Sequence, residues 1–286
     1  MTKRHTPTQS PQVRERHENA VYINVPVDPE KLAPLLVPPA QPDIYNGSAW
    51  ISICIDALFQ IESPCFRGWI KFPGIQKKYM LKVNALIKAP LPTGGPPVPG
   101  YQIVFLSFEQ SLGGRIMRLG ALATQKIPTI LMKPFISLGT SGTTGSRDYS
   151  IGKGEEYSAK LTNASDGTGI LDIGGVVTQP VPEHAAFYKF VVDRGVKFLV
   201  QGEGSARKLV GAAWGEGYQC STENVLGMHV KSLSLPILSV IGVPPNVAEM
   251  AIVFYQKVYA MIDYTNEPIP HIAVDSPTLN PHQNSR

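Results

Sequence analysis

Proline and glycine punctuate this chain almost from end to end, with 26 of each among 286 residues. Proline removes a backbone donor and fixes φ, while glycine favours turns, so neither lets a long helix run. The stretches between them are short, apolar and rich in β-branched and aromatic residues, which suits strands. Strands are expected at "AVYINVPV" (Ala20 to Val27), Ser48 to Asp56, "KKYMLKVNALIKAP", "YQIVFLSFE", "EEYSAKLTN", "GILDIGGVVTQ", "VLGMHVKSLSL" and "AEMAIVFYQKVYAMIDY". Helices are expected at three places. "DPEKLAPLL" has Asp28 as N-cap and Pro29 in its first turn, and it stops at Pro38 and Pro39. "GGRIMRLGALATQKIP" (113–128) ends at a proline, and "PEHAAFYKFVV" opens with Glu183 and His184. Many strands and few helices describe an α+β protein with a large, mainly antiparallel sheet.

Composition narrows the function classes. A net charge of +4, spread along the chain, makes no basic stripe, so no nucleic-acid partner is expected. Three cysteines are too few for a disulfide scaffold, and no zinc-type spacing of Cys and His occurs, so no metal is expected. There is no run of 18 apolar residues and no apolar segment near the start, which predicts a cytoplasmic protein without membrane partners. Residues 1–18 and 265–286 are polar and read as disordered tails around a single domain, 19–264. The Ser137-to-Asp148 loop is read as a flap or an internal boundary. "GTSG" has the wrong spacing for a nucleophile elbow, and "GKGEEY" lacks the last glycine of a dinucleotide fingerprint. No cofactor is expected.

The order of segments carries a resemblance. "VYINVPVDPEKLAPLLVPPAQPDIYNGSAWISI", "KYMLKVNALI", "GYQIVFLSFEQS" and "RIMRLGALATQKIP" resemble the acetoacetate decarboxylase-like superfamily, over roughly residues 18 to 264. Within it, the chain looks closest to the branch not defined by decarboxylase activity. The resemblance implies a cone-like, closed antiparallel sheet around a ligand cavity, with a few peripheral helices and a possible homo-oligomer. The decarboxylase forms a Schiff base on one lysine whose pKa is lowered by a neighbouring lysine. With the family's arginine laid on Arg118, that pair falls on Gln125 and Lys126, so only the second lysine is retained. The family's substrate-site arginine falls near Glu18, with Arg16 two residues away. One glutamate falls near Ile51 or Ser52, and the next falls within "YMLK", where there is none. Acetoacetate decarboxylation is therefore not the expected reaction.

On the 113–128 helix, Arg115, Arg118, Gln125 and Lys126 fall near one stripe. Two readings stay open. The stripe is a solvated face with Lys126 at a favourable helix C-terminus, or it faces a cavity. In the second case Arg115 and Arg118 hold a ligand oxygen and Lys126 acts as a base or imine former. The candidate catalytic residues are thus Arg115, Arg118 and Lys126. Gln125, Trp50, Ser52 and Glu109 are the candidate substrate-binding residues. Asp193 and Arg194 are read as a structural ion pair or helix end.

The leading functional expectation is a cofactor-independent enzyme: a cyclase, isomerase or dehydratase-type lyase. It acts on a carbonyl-rich, largely apolar metabolite, in a setting such as polyketide-derived secondary metabolism. The alternatives are a non-catalytic protein that binds a hydrophobic ligand, and a Schiff-base decarboxylase with relocated residues.

Overall fold

The computed structural model describes residues 13–65, 68–71, 78–91, 95–108, 144–146, 156–163, 169–177, 182–192, 194–201, 208–216, 226–233, 235–243, 251–256 and 260–265. The expected helix at 113–128, with Arg115, Arg118, Gln125 and Lys126, lies outside the described residues, as does Glu109.

The first sheet is built from β1 (Val13–Val27), β2 (Gln41–Pro42), β3 (Ile44–Tyr45), β4 (Ser48–Cys65), β5 (Gly68–Lys71), β6 (Lys78–Ala89) and β7 (Val98–Phe108). Later in the chain come β11 (Val196–Gln201), β12 (Lys208–Glu216), β14 (Ile252–Gln256) and β15 (Ala260–Thr265). The second sheet is β8 (Thr144–Ser146), β9 (Glu156–Asn163), β10 (Gly169–Val177) and β13 (Leu226–Leu233). The α+β class stands: the described residues are mostly strand. Three short α-helices accompany them, α1 (Pro29–Leu32), α2 (Ala185–Val192) and α3 (Pro236–Val240).

The first sheet closes on itself. Its neighbours run β1, β15, β12, β11, β7, β6, β4 and back to β1. Every pairing in that ring is antiparallel except β11 with β7. Closure removes the unpaired edges that would otherwise invite strand addition. One strand, β1, takes two partners along one edge: Val13–His17 pair with β15, and Ala20–Asn24 pair with β14. Its other edge pairs with β4.

Strand β1 begins at Val13, well before Ala20, so residues 13–18 are strand and not tail. The charged string "VRERHE" reads as disordered by composition, yet β4 and β15 pair with it on either side. Part of the 137–148 loop, Thr144–Ser146, is likewise strand, paired with β9.

Both faces of the ring are covered. On one face lie Val21, Ile23 and Val25 of β1, Ile51, Ile53 and Ile55 of β4, and Leu81, Val83, Ala85 and Ile87 of β6. Leu32 and Leu36, α3 residues Leu238 and Ile241, and β10 residues Leu171 and Ile173 join the same core. Helix α1 is set by Asp28, whose carboxylate accepts the Glu30 N–H at 2.9 Å. Gln102 of β7, fully buried, accepts the Val37 N–H at 3.1 Å and donates to Leu35 O at 3.3 Å, pinning the segment after α1. On the opposite face, Trp50, Leu86 and Phe254 pack with Phe187, Tyr188 and Val191 of α2. Trp50 is a wall aromatic: its ring centroid lies 4.3 Å from that of Phe187, and its indole N–H donates to Tyr45 O at 3.0 Å.

Candidate functional site

Side chains alternate along a strand, so Trp50, Ser52 and Cys54 of β4 share one face, as do Lys82, Asn84 and Leu86 of β6. The register aligns them across strands. Asn24 stands opposite Ser52, and Ser52 opposite Asn84; Tyr22 stands opposite Cys54, and Cys54 opposite Lys82.

This face is the interior of the ring. Glu15 of β1 and Lys197 of β11 are not on neighbouring strands: β15 and β12 separate them one way round, and β4, β6 and β7 the other. Their charges nevertheless act on each other, and Lys82 of β6 acts on both. Charges on strands so far apart in the ring come within electrostatic reach of each other across its middle. Glu15, Lys82 and Lys197 are each partly accessible.

His17 completes the group. It is buried, and its Nε2 lies 3.0 Å from Glu15 Oε2, where the N–H tautomer donates to the carboxylate. Burial alone would raise the Glu15 carboxyl. The His17 hydrogen bond and the charges of His17, Lys197 and Lys82 outweigh it, so the carboxyl is held below the usual range. Lys197 moves the other way from an ordinary lysine. Burial lowers its pKa, Lys82 lowers it further, and Glu15 opposes only part of the fall. A lysine with a lowered pKa has more of the free amine, which is the nucleophilic and basic form.

Ser52 lies on this interior face and is 2% exposed, and its Oγ has no hydrogen-bond partner. Asn24 Oδ1 and Asn84 Oδ1 share that condition. Each such oxygen costs about 1–3 kcal/mol when left unmet. Asn24 Nδ2, by contrast, donates to Ile252 O at 2.9 Å and Tyr22 O at 3.3 Å.

Arg194 is a structural residue, as expected, and pairs with Asp43; Asp193 lies outside the described residues. It donates from Nη2 to Asp43 Oδ2 at 2.5 Å, from Nη1 to Ile87 O and Gly100 O, and from Nε to Phe190 O. Among the described residues no cluster of His, Cys, Asp and Glu is suited to hold a metal ion, and no helix is long and apolar enough to cross a membrane.

Of the expected site residues, the described structure brings Trp50 and Ser52 to one interior face. Glu15, His17, Lys82 and Lys197 escaped the sequence reading. The signal lay in the resemblance: one missing glutamate fell within "YMLK", whose last residue is Lys82, and the missing arginine fell close to His17.

No family model matches the sequence, and no curated protein matches it. Solved structures do match. Acetoacetate decarboxylase from Legionella pneumophila subsp. pneumophila str. Philadelphia 1 superposes with a TM-score of 0.51 at 10% identity, over 93% of this chain and 92% of that one. A second acetoacetate decarboxylase structure gives 0.51 at 8% identity, over 93% and 97%. The enduracididine biosynthesis enzyme MppR complexed with pyruvate gives 0.48 at 12% identity, over 91% and 90%. The chain has the acetoacetate decarboxylase-like fold.

Proposed function

We propose that this protein is a cofactor-independent enzyme acting on a small, carbonyl-bearing metabolite inside the strand ring, with Lys197 as its reactive amine. The closed ring of strands and the electrostatic coupling of Glu15, Lys82 and Lys197 across it support this reading. The fold shared with acetoacetate decarboxylase supports it.

The free amine of Lys197 attacks the carbonyl carbon, and the nitrogen's proton passes to the oxygen. A proton taken from solvent lets the hydroxyl depart as water and leaves an iminium ion. That cation withdraws electrons from the adjacent carbon, and the Glu15 carboxylate accepts the proton released there, giving an enamine. His17 holds the carboxylate in place. The enamine then isomerises, cyclises or eliminates a leaving group, and water hydrolyses the imine. Trp50, Phe187 and Phe254 give the interior an apolar end suited to a largely apolar substrate.

A second reading uses the same amine for decarboxylation of a β-keto acid. Lys82 favours it, because its cation attracts the substrate carboxylate while the iminium formed on Lys197 accepts the electrons left when carbon dioxide departs.

Cyanoborohydride trapping with a panel of small ketones, aldehydes and β-keto acids tests both, with the adduct mapped by mass spectrometry. The expected result is an adduct on Lys197 that is absent from Lys197→Met. Release of carbon dioxide from the β-keto acids selects the second reading. Ligand binding without any adduct or turnover overturns both and leaves a non-catalytic binding protein.

A further inference from the structure

We infer that Asn24, Ser52 and Asn84 form a polar row that binds a hydroxyl group of the substrate, so that the substrate class is a hydroxylated carbonyl compound. This rests on the reading of Lys197 as the group that takes the carbonyl end.

The three residues come from β1, β4 and β6 and stand directly opposite one another in register. They are 0%, 2% and 9% exposed. Each presents an oxygen without a hydrogen-bond partner: Asn24 Oδ1, Ser52 Oγ and Asn84 Oδ1. The Asn24 amide cannot simply turn round to exchange its oxygen for a donor, because Nδ2 is engaged by Ile252 O and Tyr22 O. Cross-strand neighbours lie about 4.5–5.5 Å apart, so one donor can reach two of the three.

Buried polar oxygens that find no partner in the protein are met by one from outside it, an ordered water or a ligand group. An ammonium group would suit them by hydrogen bonding alone. Lys82 lies two residues from Asn84 on the same face, so a further cation there is repelled. A neutral hydroxyl is the donor that fits. The row and Lys82 are two residues apart along β6, about 7 Å at strand spacing. Lys197, which takes the carbonyl, is coupled to Lys82 and not to the row, so the hydroxyl is set a few bonds from the carbonyl. The oxygens are screened from solvent, so a ligand reaches them as neighbouring side chains of this face give way. Lys82, on its flexible four-carbon stem, is the one best able to do so.

The probes are 5-hydroxypentan-2-one and pentan-2-one, which differ by a single hydroxyl. The measurement is the concentration giving half-maximal trapping on Lys197 in the full-length protein. The hydroxyketone is expected to trap at about tenfold lower concentration, as one good hydrogen bond to a buried acceptor allows. Ser52→Ala and Asn84→Leu should each shrink that difference. Equal trapping of the two ketones overturns the inference. Saturation-transfer NMR with pentane-1,4-diol separates this inference from the reading it rests on, because the diol has no carbonyl. If neither ketone traps, diol binding that is lost in the Ser52→Ala/Asn84→Leu double variant upholds the row while Lys197 fails. Absence of diol binding to the wild type sinks the row. The unfolding temperature supplies the fold control: removing unmet acceptors should leave it level or raised. A fall in both single variants would assign the row to the fold and overturn the inference.

Discussion

Replacing Arg194 with methionine tests a deeply buried ion pair of the fold. The guanidinium is 4% exposed and the Asp43 carboxylate 5%, with 2.5 Å between them. The same guanidinium serves the carbonyls of Ile87, Gly100 and Phe190, and stands 4.1 Å above the Phe190 ring. Burial lowers the pKa of Arg194 while Asp43 supports its charge, the balance expected of a desolvated pair. Removing Arg194 leaves the buried Asp43 carboxylate with only the partly exposed Lys88 and leaves three carbonyls without their donor, at a cost of about 3–5 kcal/mol. At about 2–4 °C per kcal/mol, the unfolding temperature should fall by about 6–20 °C. Asp43 offers an internal comparison, because its Oδ1 also meets Lys88 Nζ at 2.9 Å, and that lysine side chain is 43% exposed. Lys88→Met should therefore cost no more than about 1 kcal/mol. The Arg194→Met/Asp43→Leu double variant should recover part of the loss, since no charge is left stranded. Urea unfolding followed by circular dichroism measures all four proteins. A loss below about 1 kcal/mol for Arg194→Met would refute the reasoning, because it would mean that water reaches the pair.

Three further predictions concern the interior and its frame. Lys82→Met removes a charge that lowers the Lys197 pKa, so the pH profile of imine trapping should move upward; Glu15→Gln removes a charge that raises it, so the profile should move downward. An unmoved profile in both would separate Lys197 from these neighbours. The folded-state pKa of Lys197 lies below its unfolded value, so the unfolded chain binds the extra proton between them and stability rises with pH there. Wild type should accordingly gain stability relative to Lys197→Met as pH rises toward about 10.4, measured by urea midpoints at several pH values. A constant difference would count against a perturbed lysine. Finally, a Cβ at Gly100 would stand 2.6 Å from both a Phe198 ring carbon and Val196 O. Gly100→Ala should thus destabilise by about 1–3 kcal/mol in thermal unfolding, and a neutral result would argue against the close approach of β7 to β11.

The strands that could be read beforehand are those whose own residues announce them. Strand β6 alternates, β9 and β10 are an adjacent pair, and β4 carries isoleucines at 51, 53 and 55. Helix α1 was legible because a cap and a proline sit at its start. Two elements left little trace. Strand β12, "KLVGAAWGE", is diluted by Gly211, Ala212 and Ala213, and α3 starts after Leu235 with no side-chain cap. The start of β1 was hidden because polar composition says nothing about partners from distant sequence. Trp50 and Ser52 could be picked out as members of one strand, whereas the Glu15–His17–Lys82–Lys197 group has no local motif. Its members come from β1, β6 and β11, and only ring closure gathers them.

That closure has a consequence for synthesis. The first strand of the ring pairs with two of the last, β14 and β15, so β1 must wait, one flank bare, until nearly all of the chain has left the ribosome. Pairings between such remote segments form slowly, and a bare strand flank is prone to aggregate. The amine proposed as reactive meets its carboxylate neighbour only once that last seam is sewn. A nascent or prematurely ended chain would therefore carry Lys197 as an ordinary, protonated lysine, and its chemistry would switch on only with the finished barrel.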